Sequence, residues 1–442
     1  MILPSPDGAG PRVGRGVVSP VAVSVPGMRI LHTSDWHLGA RLHEEDRSGE
    51  QRAFLDWLLG LVEAERPDAL VVAGDIFDVK APSPAAQELY YGFLARAMKS
   101  GACGKIVVVA GNHDNAGFLA APAGLLSKMD IDVVARAHDG EAVADEIVEV
   151  KGADGATGLV IAAVPFMYEA ELANFGAAEV PSDAQRDDRI AAGWRRHYAA
   201  AIAAARAKAP GVPLVVTGHC TMADADVSDS ESERCRRIGG IDAYDVAPFV
   251  GADYVALGHL HKPQAVKGNE TRMFYSGSPL RMSFDEAKGR KSVNVVVFSA
   301  AGAPPDVRRV EVPQTVPILT IEGTPDEVRK ELGSLVLEKE CLRYVRLRLK
   351  GFEGEARPYW EEFRMLAKGT ETRVLEENDM RPIAAAAAGL KAFEGRRIQD
   401  VRPRDMAERK LRTSSRRFSE EEVAGFLELF DAVAAEVDGG AA

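Results

Sequence analysis

The segment Val108-Val-Ala-Gly-Asn-His-Asp114 decides the fold class of this chain, because an apolar, β-branched run ends in glycine and polar side chains follow at once. A short, uninterrupted apolar run of this kind is typical of a strand that is covered on both faces. In open α/β sheets, binding crevices lie outside the carboxyl ends of the strands. The segment therefore predicts a buried strand that delivers Asn112 and His113 to such a crevice.

The same pattern of strand, glycine and metal-ligand side chain occurs at three more places, and a fifth strand ends in Ser34-Asp-Trp-His37. The three repeats are Val71-Val-Ala-Gly-Asp75, Val215-Val-Thr-Gly-His219 and Val255-Ala-Leu-Gly-His-Leu-His261. Glycine permits the sharp turns that let backbone and ligands approach a common centre. In the last repeat, the alternation of an extended chain puts both imidazoles on one side. These five strand ends predict one shared site.

Longer amphipathic stretches separate the apolar runs, which predicts an α/β domain over residues 28–300. A smaller unit at residues 314–382 follows the order strand, helix, strand, helix and strand, which indicates a small α+β domain. Residues 302–313, with three prolines, are the expected linker between the two. The expected strands of the larger domain are 29–33, 69–73, 105–110, 159–164, 214–217, 254–257 and 272–276, and its clearest helices are 50–64 and 183–208.

The two ends of the chain differ from these domains in composition. Residues 1–27 contain Pro and Gly repeatedly and are expected to be a disordered extension, with the fold beginning at Met28. Residues 383–442 form the expected C-terminal tail, in which 396–417 hold nine basic and three acidic residues. Within this tail, 419–437 predict an amphipathic helix with a capping serine and an acidic first turn. We expect that helix to dock a partner protein, although a helix packed on its own chain fits the same pattern.

The overall composition restricts the class of protein. The chain has 442 residues and a formal net charge of −12, which argues against a general electrostatic nucleic-acid binder. An apolar fraction of 46% is typical of a globular protein. No apolar run approaches the roughly 18–20 residues of a membrane span, so no membrane role is expected. Four cysteines without CxxC spacing predict free thiols in a reducing compartment.

The side chains at the strand ends are five histidines, two aspartates and one asparagine, without a thiolate. This set suits Mn²⁺, Fe²⁺, Zn²⁺ or Mg²⁺. Eight such groups exceed the needs of one ion, and two ions about 3.5–4 Å apart are a known arrangement for phosphoester cleavage. Taken singly, Asn112-His-Asp114 also fits a turn, and His37 fits a core histidine as His32 does. Their joint occurrence favours the metal site.

These motifs resemble, residue for residue, those of the calcineurin-like metallophosphoesterases. Three longer strings, at residues 33–39, 74–78 and 277–286, are more narrowly similar to the SbcD nuclease subunits of bacteria. The resemblance implies a four-layer α/β/β/α sandwich with a small α+β capping domain and a C-terminal helical tail. In archaeal and eukaryotic relatives a second histidine occupies the position of Asp78, and its absence here agrees with the bacterial branch.

The resemblance also implies a role for each residue of the site. His113 would donate a proton to the leaving oxygen without binding metal, and Asp114 would orient its imidazole. Asp75 would bridge two divalent ions, with Mn²⁺ as the expected metal and Mg²⁺ as the alternative. The implied ligands are Asp35, His37, Asp75 and His261 for one ion, and Asp75, Asn112, His219 and His259 for the other.

The implied function is that of a DNA nuclease subunit, cytoplasmic and homodimeric, which works with an SbcC-like ATPase in DNA repair, replication and recombination. Such proteins degrade duplex DNA as 3′→5′ exonucleases and cut single strands and hairpins as endonucleases. One alternative is a phosphatase or cyclic-nucleotide phosphodiesterase of the same superfamily, although the GDxVDRG string usual in phosphoprotein phosphatases is absent. Another is a catalytically inert scaffold of the ATPase complex, against which the complete ligand set argues.

Overall fold

The computed structural model describes residues 27–175, 185–223, 225–226, 243–267, 272–338, 341–381, 404, 423–427 and 429–431. The chain divides into two compact units. The first unit comprises Met1–Leu319 with Glu340–Val345, and the second comprises Thr320–Lys339 with Arg346–Ala442.

The first unit contains two six-stranded sheets and a separate two-stranded ribbon. The strands are β1 Met28–Thr33, β2 Arg41–Leu42, β3 Glu45–Asp46, β4 Ala69–Ala73, β5 Lys105–Val109, β6 Ile131–Val134, β7 Ile147–Lys151, β8 Thr157–Ala162, β9 Leu214–His219, β10 Tyr254–Gly258, β11 Gln264–Ala265, β12 Arg272–Tyr275, β13 Ser292–Phe298 and β14 Asp306–Glu311. In the first sheet, whose order is β14-β13-β1-β4-β5-β6, the last four strands run parallel, and β13 is antiparallel to both of its neighbours. In the second, whose order is β11-β12-β10-β9-β8-β7, the four central strands run parallel and each edge strand is antiparallel to its neighbour. The ribbon consists of β2 and β3.

Helices cover the outer face of each sheet. They are α1 Ser48–Glu65, α2 Pro84–Lys99, α3 Ala116–Ala120, α4 Ala123–Leu126, α5 Glu169–Phe175 and α6 Arg186–Lys208. Phe93 of α2 belongs to a core cluster with Leu31 of the first sheet, and Trp194 of α6 belongs to another with Val216 of the second. A third cluster lies between the sheets, where alternation along β1 turns Ile30 away from the side of Leu31. The expected four-layer α/β/β/α sandwich is therefore confirmed.

One polar group lies inside the apolar layer between the sheets. His32 of β1 is fully buried, and its Nδ1 lies 2.9 Å from the hydroxyl of Tyr254 on β10. Burial lowers the pKa of His32 to about 3, so this imidazole is neutral in the folded protein. The expectation that His32 belongs to a core strand is confirmed.

The structure corrects the boundary of the first domain. The stretch 302–313, predicted to be a linker, contains β14, which pairs antiparallel with β13. Its three prolines flank the strand instead of interrupting it, since Pro304 and Pro305 precede Asp306 and Pro313 follows Glu311. The first sheet therefore continues past residue 300. The structure also contains six strands that were not among the expected ones, namely β2, β3, β6, β7, β11 and β13.

The second unit has the predicted order of strand, helix, strand, helix and strand. The elements are β15 Ile318–Gly323, α7 Pro325–Leu337, β16 Arg343–Leu349, α8 Arg357–Ala367 and β17 Thr372–Asp379. The sheet has the order β15-β16-β17, and the division between the units falls inside β15 and β16. Thr324 caps α7 through a capping box with Glu327, which satisfies two backbone amides at the start of the helix.

Several predictions concern residues that lie outside the described part of the chain. These are the extension at 1–26, almost all of the basic run 396–417 and most of the expected helix 419–437. Residues 423–427 and 429–431 are helical, with Val423 and Leu427 buried. Among the described residues, no helix is long and apolar enough to cross a membrane. The thiols of Cys103, Cys220 and Cys341 are free, as expected.

Candidate metal centre

The predicted site residues come from strands of both sheets, and each follows or ends a parallel strand. The first sheet supplies residues after β1, β4 and β5, and the second sheet supplies residues at the ends of β9 and β10. Because the carboxyl ends of parallel strands meet at one edge of a sheet, these side chains converge. The residues are Asp35, His37, Asp75, Asn112 and His113 from the first sheet and His219, His259 and His261 from the second.

Four of these residues have a left-handed backbone. The φ angles are 53° at Asp35, 44° at His37, 51° at Asp75 and 94° at His259. Non-glycine residues rarely adopt such angles, and where they persist the surrounding structure holds them. Here backbone hydrogen bonds do so, since the amide of Asp35 donates to the carbonyl of Gly74 at 2.9 Å and that of His37 donates to Asp75 at 3.0 Å. These hydrogen bonds connect the segment after β1 to the segment after β4.

Two glycines make the convergence sterically possible. At Gly74, whose φ is +90°, an added Cβ would lie 2.2 Å from Nδ1 of His219. At Gly111 an added Cβ would lie 2.1 Å from Oδ1 of Asp75. Both distances are far below van der Waals contact, so any side chain would displace a ligand. The predicted need for glycine before the ligands is confirmed at these positions.

The first group of ligands consists of Asp35, His37 and His261, whose donor atoms lie within 4.8 Å of one another. The Nε2 atoms of His37 and His261 face each other at 3.2 Å, and all three residues are buried. Imidazole nitrogens that converge with a carboxylate in a buried site form the donor set that divalent transition metals prefer. These residues fit one divalent cation.

The second group consists of Asp75, His219 and His259, with donor atoms that also lie within 4.8 Å of one another. Asn112 joins it, since its Oδ1 lies 3.0 Å from Nε2 of His219 and 2.9 Å from Nδ1 of His259. The carbonyl of Ala73 accepts from Nδ1 of His219 at 2.9 Å, which leaves Nε2 of that ring as the ligand atom. This group fits a second divalent cation.

Asp75 connects the two groups. Its Oδ2 lies 3.7 Å from Nε2 of His37 and 3.3 Å from Nε2 of His219. Its Oδ1 accepts from the backbone amide of His113 at 2.9 Å. Although burial disfavours its charge, attraction to His219 and His37 holds the pKa of Asp75 well below its usual range. Asp75 is thus an anionic bridge between the two groups.

The two imidazoles of the second group differ in their charge when no metal is bound. Burial acts to lower the pKa of His219, but attraction to Asp75 outweighs it and raises that pKa to about 9. For His259, burial and repulsion from His219 lower the pKa to about 3. A metal must displace the proton on His219, so binding releases protons.

His113 lies beside the ligands with its ring fixed. Its Nδ1 is 2.7 Å from the carbonyl oxygen of Asp78, and because a carbonyl can only accept, Nδ1 must carry the proton of that hydrogen bond. One nitrogen of the ring lies within 4.8 Å of donor atoms of His37 and Asp75. The half-buried ring thus keeps Nε2 available at the edge of the centre.

The structure corrects the role expected for Asp114. Its carboxylate accepts from the backbone amides of Gly111 at 2.8 Å, Phe77 at 3.0 Å and Ile76 at 3.2 Å. The ring of His113 is held instead by the carbonyl of Asp78. Asp114 is bound by amides of the ligand loops, and it positions those loops. Burial and the nearby charge of Asp75 raise the pKa of Asp114 to about 6.

Sequence reasoning missed the groups behind the ligands. Oε1 of Glu286 lies 3.3 Å from Nδ1 of His261, and its Oε2 accepts from Nζ of Lys291 at 2.5 Å. Lys291 is only 2% exposed and also donates to the carbonyl of His261 at 2.9 Å. Oδ1 of Asp78 lies 3.5 Å from Nδ1 of His37. Glu286 ends the string 277–286 that carried the resemblance, which was the available signal.

Comparison with protein families agrees with this geometry. A family model described as Calcineurin-like phosphoesterase matches residues 28–263, which is more than half of the chain and includes every ligand described above. The chain therefore belongs to the calcineurin-like phosphoesterases.

Curated relatives narrow the assignment within that family. The SbcD subunit of the SbcCD nuclease of Escherichia coli K12 is 36% identical over 320 residues, which cover 72% of this chain and 75% of the relative. Its counterpart in Rhodobacter capsulatus is 36% identical over 306 residues, or 67% and 73%. That of Bacillus subtilis is 39% identical over 279 residues, or 61% and 66%. The chain is thus an SbcD-like nuclease subunit and a metal-dependent phosphodiester hydrolase, which confirms the resemblance seen in its motifs.

Proposed function

We propose that this chain hydrolyses phosphodiester bonds of DNA with two divalent metal ions, as the nuclease subunit of a complex with an SbcC-like ATPase. The observation that carries this proposal is the convergence of two ligand groups on the shared carboxylate of Asp75. The relatives, whose names place them in the SbcCD nuclease, support the choice of DNA and of the partner. Mn²⁺ is the metal that we expect.

The two ligand groups divide the proposed metal sites between them. Asp75 belongs to both, and Asn112 completes the second group with its amide oxygen. A pair of divalent ions would activate water for attack and neutralise the charge that develops on the phosphorus oxygens. One ion would be held by Asp35, His37, Asp75 and His261, and the other by Asp75, Asn112, His219 and His259.

His113 is the residue of this chain that we assign to proton transfer. With Nδ1 held by the carbonyl of Asp78, a protonated ring presents its second proton on Nε2, at the edge of the centre. It can give that proton to the oxygen that leaves the phosphorus. General acid catalysis of this kind contributes about 10²–10⁴-fold. Asp114 supports the step indirectly, since it holds the backbone of the loop that carries His113.

The finer activity that we propose is 3′→5′ exonuclease on duplex DNA and endonuclease on single strands and hairpins, carried out by a homodimer at the nucleoid in the cytoplasm. The net charge of −12 bears on the partner. Affinity for DNA depends on phosphate contacts from Lys and Arg, and the 66 acidic residues of this chain outnumber its 54 Lys and Arg residues. We infer that the ATPase contributes most of the affinity for DNA, while the metal centre acts on the scissile phosphate.

One assay tests the proposed activity against its alternatives. Free-ended, end-blocked and hairpin DNA are incubated with the full chain and Mn²⁺, with and without the ATPase, and products are resolved at nucleotide level. We expect degradation of free ends and opening of hairpins, both stimulated by the partner. Hydrolysis of only phosphomonoesters or cyclic nucleotides would assign the chain to the alternative class. Bound metal without hydrolysis of any of these substrates would indicate an inert scaffold.

A truncation tests the proposed docking tail. Deletion of 396–442 removes the basic run and the amphipathic segment that contains Val423 and Leu427. We expect weaker association with the ATPase and unchanged hydrolysis of a small phosphodiester, because every proposed ligand lies before residue 262. Full co-purification of the truncated chain with its partner would contradict the assignment of the tail.

A further inference from the structure

A cavity of about 220 Å³ lies beside the metal centre, next to the loop that carries His113. Lys80, Asp114, Arg136 and Tyr168 are among its lining residues. The volume is below the roughly 300–1,000 Å³ of pockets that enclose a drug-sized ligand. A flat group of the size of one nucleobase matches this space better than a whole nucleotide does.

The cavity adjoins the metal centre, because its lining residue Phe166 contacts residues at two of the ligand-bearing strand ends. The backbone amide of Phe166 donates to the carbonyl of Ala110 at 2.8 Å, which ties the cavity wall to the end of β5. The ring of Phe166 lies 6.2 Å from that of His219, at an interplanar angle of 82°. Lys80 comes two residues after Asp78, whose carbonyl holds His113. The cavity therefore lies next to the loop of His113, the residue that we assign to the leaving oxygen.

Tyr168 presents an aromatic surface at the mouth of this cavity. The residue is 42% exposed, yet its position is constrained. Its ring contacts that of Phe166 edge to face, with centroids 5.0 Å apart, and its backbone amide donates to Glu171 at 2.9 Å. Nζ of Lys80 lies 5.6 Å from the centroid of the same ring. An exposed but fixed aromatic ring is the element on which single-stranded nucleic acids stack their bases.

The charged groups around the cavity favour a polyanion at its rim. Lys80 and Arg136 are exposed, and both line the cavity. The acidic lining residues are engaged with backbone amides, Asp114 with three of them and Glu171 with that of Tyr168. The two exposed cations can contact phosphates of a bound strand, and cations of this kind position a strand without reading its sequence.

We propose that this cavity is a nucleobase subsite, in which Tyr168 stacks on the base of the nucleotide that carries the leaving oxygen and Lys80 contacts a neighbouring phosphate. The proposal rests on the proposed function and names the part of the substrate that the site recognises. Because every base has a π-face, stacking on Tyr168 would tolerate any base while requiring that one be present. The subsite would favour nucleic acid over phosphodiesters that lack a base.

The subsite is tested by combining substitutions of Tyr168 with removal of single bases from the substrate. The full chain with Mn²⁺ and the variants Tyr168→Ala and Tyr168→Phe are assayed on single-stranded oligonucleotides. Each oligonucleotide carries either normal nucleotides or one abasic residue on one side of the cleaved bond. Loss of one stacked base costs about 5- to 160-fold, so we expect Tyr168→Ala to lower kcat/KM by that factor on the normal strand. On the strand whose abasic residue carries the leaving oxygen it should have no further effect, and Tyr168→Phe should remain near wild type.

Lys80→Gln provides a second readout that does not depend on cleavage. Binding of the same oligonucleotides is followed by fluorescence anisotropy at several salt concentrations without metal. Loss of one phosphate contact should reduce the slope of log affinity against log salt by about 0.7–1. An unchanged slope would exclude Lys80 from phosphate contact.

The outcomes separate the subsite from the function on which it rests. If the wild type cleaves DNA and Tyr168→Ala loses the same factor on normal and on both abasic strands, or loses nothing, the stacking proposal is wrong while the nuclease assignment stands. If the wild type hydrolyses bis(p-nitrophenyl) phosphate but neither kind of DNA, the nuclease proposal fails and the subsite fails with it. Because Tyr168 is exposed at the surface, thermal unfolding of Tyr168→Ala should match that of Tyr168→Phe.

Discussion

The two halves of the metal centre hold their imidazoles in different ways. In the first half, the carboxylate of Glu286 lies 3.3 Å from Nδ1 of His261 and is hydrogen-bonded to it, while the carboxylate of Asp78 makes only an electrostatic contact, at 3.5 Å, with Nδ1 of His37. In the second half, the backbone carbonyl of Ala73 accepts from His219 at 2.9 Å. Both arrangements orient a ring, but only a carboxylate adds charge that makes the imidazole a stronger ligand.

This difference shows where a substitution can change the metal affinity of the centre. A side chain behind a ligand can be replaced, whereas the carbonyl of Ala73 remains in every variant. The first half also includes a buried ion pair, since Lys291 is 2% exposed and donates to Glu286. Burial disfavours the charge on Glu286, yet attraction to Lys291 holds the pKa of Glu286 well below its usual range. The first half is therefore the more sensitive of the two to changes of charge.

The largest effect is expected from Asp75→Asn, which removes the charge that both halves share. Asp75 lies within 4 Å of ligand nitrogens in each group, so both metals should bind far more weakly. The loss should exceed the roughly 10–100-fold that follows from removing a partner behind a ligand. Titration calorimetry with Mn²⁺ measures it. Two metals bound at wild-type affinity would show that Asp75 is not the bridge.

His113→Ala should affect chemistry without affecting either half. Its ring is held by the carbonyl of Asp78, and we assign it no metal. We expect kcat to fall by about 10²–10⁴-fold while the variant still binds two Mn²⁺ ions. His138→Ala, which changes a loop histidine that faces Glu146, serves as the control and should keep full activity. Loss of metal from His113→Ala would show that this residue is a ligand.

Glu286→Gln tests the comparison between the halves directly. Glutamine keeps the shape and can still accept from Lys291, but it removes the carboxylate behind His261. We expect Mn²⁺ affinity to fall about 10–100-fold at one of the two sites only.

Ala73→Gly is the matched variant in the other half, because it keeps the carbonyl that holds His219. Both metals should bind to it at wild-type affinity. Thermal unfolding of both variants checks that the fold is retained. Equal losses of affinity in the two variants would contradict the distinction between carboxylate and carbonyl support.

The smallest effect concerns His32, a buried imidazole with neither metal nor carboxylate. Its folded pKa of about 3 lies below the unfolded value of 6.5, so the unfolded chain binds the extra proton first. Stability is therefore lost as the pH falls from about 6.5 towards 3, by at most about 1.4 kcal/mol per pH unit. Urea unfolding of the wild type and of His32→Gln at pH 7 and pH 5 measures it. Equal acid sensitivity of the two proteins would contradict this account.

Much of the fold could be predicted because its signals are local. An apolar run followed by glycine and a ligand predicts both a buried strand and the end at which the site lies. The strand that ends at Val109, which Gly111 and Asn112 follow, is an example. The strand β14 was missed because Pro304 and Pro313 suggest a linker, and only its pairing with β13 makes it part of a sheet. Edge strands depend on their neighbour more than on their own composition.

The roles of individual side chains show the same contrast between local sequence signals and contacts made by distant segments. The sequence by itself determined which residues can bind metal, since ligand chemistry and the glycines before it are encoded within a few positions of each strand end. Only the tertiary structure decided what stands behind each ligand. Glu286 meets His261 across 25 positions, and Asp114 was predicted to contact its neighbour His113 but bonds instead to amides near Asp75. Such contacts depend on how the loops close around the centre, and no local pattern specifies that closure.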